Sequence, residues 1–281
     1  MQGKTVIITG ADGGIGRETT KAIADKGAAI MMACIDKTAA IPVCESIKQE
    51  TGNQNIEVMQ LDLASFSSIR EFATEFIKNH QQLHVLINNA GIFAMKRQET
   101  RDGFESTMGI NYLGPFLLTN LLLPIIEKTP RARIVNVSSD SHFQGKLDLE
   151  DLHSEKKFNG RKAYDMSKRA LVFFTQELAE RFKDTDITVN ALHPGHTATN
   201  IWILWPDKWY QALFTIIIKK IMLSPKEGAE AIIYLATSDE VKGLTGKYFT
   251  KKKRKDPAPQ CQDTQLQKDL WNLSEKLTGL V

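Results

Sequence analysis

Tyr164 and Lys168 stand four residues apart in the stretch YDMSK at 164–168. On a helix that spacing puts both side chains on one face. A free phenol ionises near pH ~10, too high for a base at neutral pH. A cation beside it favours the phenolate and lowers that value. A tyrosine so placed can pass a proton to or from a carbonyl oxygen. Ser138 and Ser139 follow the apolar run 134–137. A hydroxyl there could hold a substrate oxygen beside Tyr164, although serines ending strands are also ordinary turn residues. Each signal alone is weak; a Tyr–Lys pair at this spacing is common by chance.

A second constellation opens the chain. The run 5–9 is followed by Gly10-Ala11-Asp12-Gly13-Gly14-Ile15-Gly16 and then by a helical pattern. A phosphate needs bare backbone N–H groups and a helix amino end pointing at it, and side chains would block that approach. The spacing is Gly-x3-Gly-x-Gly rather than the commoner G-x-G-x-x-G. Its place between first strand and first helix favours a dinucleotide. Asn88-Asn89-Ala90-Gly91 ends the run 85–87 and reads either as a plain Asn/Gly turn or as a close approach to that cofactor. The positive ring of an oxidised nicotinamide would add a second charge near Tyr164.

The elements that must position these residues alternate. Strand-like runs lie at 5–9, 28–33, 56–60, 85–87, 134–137 and 187–190, β-branched or wholly apolar, as strands buried on both faces should be. Between them lie helical patterns, such as Ile69, Phe72, Phe76 and Ile77 opposite Arg70, Glu71, Glu75 and Lys78. Such alternation implies crossover units, a parallel sheet and an α/β doubly wound three-layer sandwich of Rossmann type, with ligands at the carboxyl ends of the strands. We read one domain over 1–250, with a substrate lid at about 196–224. Residues 251–281 form a C-terminal basic segment and a short helix on Leu266, Leu270, Leu273 and Leu277. The helix carrying Tyr164 is expected to begin near that residue and to run to about Phe182.

With 281 residues and 42% hydrophobic content the chain can bury a sizeable core. A net charge of +3 is too small to argue for nucleic acid, and the run Lys251-Lys252-Lys253-Arg254-Lys255 reads as a solvated segment. Cys34, Cys44 and Cys261 lack metal-type spacing, so no metal site and a reducing compartment are expected. No signal peptide and no spanning stretch of ~18 uncharged apolar residues is expected either.

Together these residues resemble the short-chain dehydrogenase/reductase family over roughly 3–250. The motifs are TGADGGIG at 9–16, LDL at 61–63, NNAG at 88–91, NYLG at 111–114, VNVSS at 135–139, YDMSK at 164–168 and HPG at 193–195. TRDGFE at 100–105, NYLGPFLLTNLLL at 111–123 and the long gap from Ser139 to Tyr164 resemble its retinol-dehydrogenase-like branch. The resemblance implies a tetrad of Asn111, Ser139, Tyr164 and Lys168. Tyr164 would be the acid/base, and Ser139, rather than Ser138, would polarise the substrate oxygen. Lys168 would hold ribose hydroxyls and lower the phenol pKa. Asn111 would position a water relaying protons to Lys168. Gly10, Gly14, Ile15 and Gly16 would take the pyrophosphate, Asp62 the adenine, and Asn89 with Ala90 the adenosine ribose region, with Gly91 beside them also at the cofactor. Pro194, Gly195, Thr197 and Thr199 would follow the nicotinamide.

Two departures from the family pattern stand out. Relatives preferring NADP(H) carry an arginine after the second strand, where this chain has Ile35; relatives preferring NAD(H) carry an acid where it has Cys34. Arg17 and Lys37 could serve a 2′-phosphate and Asp36 could oppose it; branch resemblance favours NADP(H), with NAD(H) as the alternative. His196 stands where the family usually has a small or β-branched apolar residue. The segment 201–223 holds Trp202, Trp205, Trp209, Phe214, Ile216, Ile217 and Ile218, edged by Lys208, Lys219 and Lys220. It reads as a core-packing helix or as the wall of a lipophilic pocket in peripheral contact with a membrane. The resulting expectation is an oxidoreductase of a lipophilic alcohol/carbonyl pair of retinol/retinal type. It would sit in the cytoplasm or on the cytosolic face of the endoplasmic reticulum or a lipid droplet, with pairing of two copies the family habit. The rivals are a same-fold reductase of steroid, prenol or xenobiotic carbonyls, and a silent dinucleotide-binding sensor or scaffold.

Overall fold

A computed structural model describes residues 1–197 and 223–281. Among the described residues eight strands form one sheet in the order β3-β2-β1-β4-β5-β6-β7-β8. These are β1 (Thr5–Thr9), β2 (Ala29–Cys34), β3 (Ile56–Gln60), β4 (Val85–Asn88), β5 (Arg133–Val137), β6 (Thr188–His193), β7 (Tyr248–Thr250) and β8 (Lys253–Lys255). Only the β7–β8 pair is antiparallel. Alternating side chains serve opposite layers: Val6 and Ile8 join one apolar cluster, and Ile7 between them joins the other. The first cluster is closed by α1 (Gly14–Ala24) and α2 (Lys37–Thr51), through Ile23 and Ile47. The second is closed by α3 (Phe66–Asn79), α4 (Ser106–Ile126) and α5 (Gly160–Arg181), through Phe72, Phe116 and Phe173. Later in the chain α6 (Pro225–Thr237) joins the α1 side through Ile232, and α7 (Thr264–Thr278) joins the α5 side through Trp271.

The expected doubly wound α/β sandwich is present, and its six expected strands fall where the apolar runs lie. The chain adds β7 and β8. The helix carrying Tyr164 begins at Gly160, capped by Asn159, whose Oδ1 accepts from the Lys162 N–H at 3.0 Å, so Tyr164 sits in the second turn. One expectation is corrected. The helix Ser106–Ile126 is long and apolar enough to cross a membrane, but 72% of its most apolar window is buried inside the fold, which makes it a core helix. Its Gly109–Leu113 turn is of π type, an irregularity frequent at functional sites.

Residues 251–281 are tied to the body. Trp271 stacks on Phe174 with centroids 5.8 Å apart, meets Phe116 edge-on at 4.9 Å, and lies under the Arg181 guanidinium at 4.0 Å. The Tyr112 and Ser274 hydroxyls share a buried hydrogen bond of 2.7 Å.

Candidate active site

Parallel pairing brings Thr9, Asn88, Val137 and His193 to one end of the sheet. A cavity of about 480 Å³ opens there, running from Gly10–Gly16 to Tyr164 and His196.

The glycine turn is built for close approach. Gly10 has φ +62, and a Cβ on it would stand 3.2 Å from the Ala90 Cα. A Cβ on Gly16 would stand 1.9 Å from the Gly10 carbonyl oxygen. Gly13, at the amino end of α1, faces open space. Thr9, which sequence reasoning treated only as a strand end, braces the turn. Its Oγ1 accepts from the backbone N–H of both Asn89 and Ala90 at 2.9 Å. The Asn89 amide donates to the carbonyls of Thr9 (2.9 Å) and Gly10 (3.2 Å). Asn89 and Ala90 therefore lock the two loops together as they line the cavity. Ile15, Pro194, Gly195 and Thr197 also line it, and Gly228 lets α6 approach Ile15 and Thr197. Thr199 and the segment 201–222 lie outside the described residues.

The tyrosine end is more buried. Tyr164 is 7% exposed and Lys168 3%. Lys168 Nζ lies 5.6 Å from the Tyr164 ring centroid, as the four-residue spacing requires, and donates to the Val137 carbonyl at 2.9 Å. Burial lowers Lys168 to about 8. Burial raises Tyr164 to about 12, opposed by a hydrogen bond with Ser139, while the Asp165 charge adds to the rise and Arg161 counters it. The expected lowering of the phenol by Lys168 does not appear; burial sets the direction. Ser139 sits at the cavity wall, its Oγ accepting from the Ser141 N–H at 3.2 Å. Ser138 instead donates to the Lys168 carbonyl at 2.8 Å and pins α5 to β5.

Asn111, in the π turn, spends both ends of its amide on the chain. Oδ1 accepts from the Ile92 N–H at 2.8 Å; Nδ2 donates to the Ile92 carbonyl at 2.9 Å and to Ser167 Oγ at 3.1 Å. It holds the β4 turn so that Gly91 faces Lys168: a Cβ there would stand 3.2 Å from Asn111 Oδ1 and 3.4 Å from Lys168 Nζ. A further tie is buried below: Asn88 Nδ2 donates to Asn136 Oδ1 (2.8 Å) and Thr119 Oγ1 (3.1 Å), and Asn136 Nδ2 donates to Thr175 Oγ1 (2.9 Å). Asp62 lines the cavity, capping its own turn at the Ala64 N–H (2.9 Å) and pairing with Arg101 at 3.4 Å.

The structure does not bring every expected residue to the cavity. Asp36 caps α2, accepting from the Ala39 N–H at 3.0 Å. Arg17 turns to Glu50 (2.5 Å) and Glu18 (3.1 Å). Helix capping and ion pairing on α1 and α2 claim both side chains. Ile35 does line the cavity, while Cys34 is fully buried. His193 also lines it and was not foreseen. Burial lowers His193 to about 4, and its Nε2 is 3.7 Å from Asp140. Among the described residues no cluster of His, Cys, Asp or Glu could hold a metal ion.

An open sheet of this order takes dinucleotides in the crevice where strand order reverses, here between β1 and β4. The cradle fits one: Gly13 is open, and Gly10, Gly16 and Gly91 stand where a Cβ would intrude. That makes the chain a dinucleotide-binding protein of the doubly wound class. Residues 4–208 match the family model of short chain dehydrogenases, and the chain belongs to that family. It is 40% identical to retinol dehydrogenase 13 of Homo sapiens, over 100% of this chain and 86% of that protein. With retinol dehydrogenase 14 of Homo sapiens the identity is 39%, over 100% and 88%. A crystal structure of an uncharacterized protein from Mycobacterium paratuberculosis superposes with a TM-score of 0.80 at 32% identity, covering 99% of this chain and 94% of that one. A short chain dehydrogenase from Shigella flexneri complexed with NADP shares the fold, with a TM-score of 0.71 at 24% identity over 90% and 98%. The chain is an enzyme of the retinol-dehydrogenase-like branch, acting on CH–OH donors with NAD(P).

Proposed function

We propose that the chain interconverts a lipophilic alcohol of retinol type and its aldehyde with NADP(H), using Tyr164 as acid/base. The observation that carries this reading is the meeting of Tyr164, Ser139 and buried Lys168 at one end of a cavity that begins at the glycine turn. When bound, the nicotinamide supplies or accepts the hydride. Tyr164 donates its phenolic proton to the substrate oxygen in reduction and takes it back in oxidation. Ser139 holds that oxygen by a hydrogen bond beside the phenol. Lys168, held by its bond to the Val137 carbonyl, presents an ammonium beside Tyr164 and would hold the ribose hydroxyls of a bound cofactor. Asn111 acts through the turn it fixes and is a positioning residue.

The preference for NADP(H) rests on the branch and on the NADP held by the Shigella relative. A lipophilic substrate rests on the retinol dehydrogenases, and residence at a cytosolic membrane face with contact through 201–223 rests on the aromatic and basic composition of that segment. Pairing of two copies through the long helices rests on the family habit alone. Fluorescence titration with NADPH and NADH, followed by all-trans-retinal in the same cuvette, tests the reading. Binding with oxidation of the reduced cofactor supports it. Binding without turnover of retinal overturns the substrate, and no binding overturns the whole.

A further inference from the structure

The run Lys251-Lys252-Lys253-Arg254-Lys255 is the basic feature that the catalytic reading leaves unused. It forms the turn and returning strand of the β7–β8 hairpin at the sheet edge. All five residues are exposed. The hairpin tip stands at the cavity mouth: Thr250 pairs with His193, and the Lys251 N–H donates to the His193 carbonyl at 3.2 Å, directly before Pro194 and Gly195 of the cavity wall. The same end carries Lys226, exposed in the first turn of α6.

Part of this charge is neutralised. Glu230 takes Lys252 at 2.9 Å, and Asp140 stands 4.0 Å from Lys255. Glu227, held below the usual carboxylate range first by its backbone and side-chain hydrogen bonds with Ser224, also feels the Lys251 charge, and Asp256 follows the run. Among the described residues no carboxylate lies within ion-pair distance of Lys251, Lys253 or Arg254. Guarding an edge strand against other strands accounts for a charge on β8, but not for the charged tip. Lys251 has φ 56, a left-handed conformation usually taken by Gly or Asn. With a net charge of only +3 on the chain, attraction to an anion is local to this rim.

We infer that the β7–β8 hairpin docks electrostatically on an anionic lipid bilayer, turning the cavity mouth toward the membrane. Clusters of four to eight basic residues beside a membrane bind acidic headgroups, and the attraction fades within a Debye length. Single-stranded nucleic acid, the other polyanion, is bound with aromatic platforms for its bases; among the described residues no large exposed hydrophobic side chain is aromatic. The biological use of the docking rests on the lipophilic-substrate reading, whereas the binding itself does not.

The test is co-sedimentation of the full chain with vesicles of phosphatidylcholine, alone or mixed with phosphatidylserine, at low and high salt. It compares wild type with the triple variant Lys251→Asn, Lys253→Gln, Arg254→Gln. Asn tolerates the tip conformation, and thermal melting checks that the variant folds. Each charge near an acidic surface is worth about a factor of five, so the variant should partition about 100-fold less onto phosphatidylserine vesicles. Wild type should be released by salt and should ignore phosphatidylcholine alone, while turnover of a water-soluble aldehyde stays unchanged in the variant. Equal binding by both proteins, binding indifferent to phosphatidylserine, or tighter binding to polyuridylate than to the acidic vesicles overturns the inference. Salt-sensitive vesicle binding lost in the variant, with no carbonyl turnover by either protein, sustains the docking and removes the enzymatic reading instead.

Discussion

Replacing Lys168 with methionine should stabilise the cofactor-free protein at neutral pH while abolishing most of its turnover. Lys168 is 3% exposed, and burial moves it from the ordinary 10.5 to about 8. At about 1.4 kcal/mol per pH unit, keeping the ammonium inside at pH 7 costs about 3 kcal/mol. Methionine removes that cost but also removes the 2.9 Å bond to the Val137 carbonyl. Leaving that acceptor unpaired costs about 1–2 kcal/mol, so the net gain is about 1–2 kcal/mol. The sign depends on pH. Between about pH 8 and 10.5 the unfolded chain holds the Lys168 proton and the folded chain has lost it, so wild-type stability climbs across that window. The advantage of methionine therefore shrinks from pH 8 upward and reverses at pH ~9. Above pH 10 the raised Tyr164 acts the opposite way: the unfolded chain ionises first and stability falls in both proteins. Urea denaturation of both proteins at pH 7 and pH 10 reads the effect directly. A variant less stable by the same amount at both values would refute the argument, because its loss would then be packing and not a buried charge.

Other outcomes follow from the same geometry. Tyr164→Phe should keep dinucleotide affinity and lose about 10²–10⁴ in turnover; an unchanged rate removes Tyr164 from the chemistry. Gly16→Ala drives a Cβ to 1.9 Å from the Gly10 oxygen, so fluorescence titration should show lost dinucleotide binding, and urea denaturation a destabilisation of about 1–3 kcal/mol. Ile35→Arg should shift the ratio of NADPH to NADH affinity about tenfold toward NADPH, whereas Arg17→Ala, already engaged by Glu50, should leave it unchanged within twofold. Trp271→Ala should cost about 3–5 kcal/mol in urea denaturation; a loss below 1 kcal/mol would mean that α7 is an appendage rather than part of the core.

The parts of the fold legible in the sequence are those under a single strong constraint. A strand covered on both faces must be apolar throughout, and 28–33 and 85–87 are. The phosphate turn must lack side chains at close approach, and Gly10 and Gly16 stand at the closest contacts. Other parts answer to partners far along the chain and leave no local trace. The strand Lys253–Lys255 looks like a solvated charge run because it is an edge strand, fully exposed and needing no apolar pattern. Asp36 and Arg17 have the right types for reading a ribose or its phosphate, yet the Ala39 N–H and Glu50 claim them. Thr9 ends a strand like any threonine, and only the arrival of Asn89 from 80 residues away shows that its hydroxyl braces the turn.

The same distinction bears on the proton transfer. Spacing places Lys168 near Tyr164, but spacing does not give the depth at which the pair is buried. Depth decides which protonation state the chain favours. A phenol at about 12 beside an ammonium at about 8 is a proton donor throughout the physiological range. In the proposed reaction Tyr164 therefore starts as the acid that gives its proton to the forming alkoxide, while the direction follows the cofactor ratio. Oxidation needs the phenolate, and hence additional positive charge near Tyr164 beyond what Lys168 provides. The pH dependence of the two directions should then differ. Reduction should hold steady up to about pH 8 and fall as Lys168 loses its proton, while oxidation should rise with pH until the same loss removes the charge that supports the phenolate. Parallel profiles in both directions would show that proton transfer from Tyr164 does not limit either.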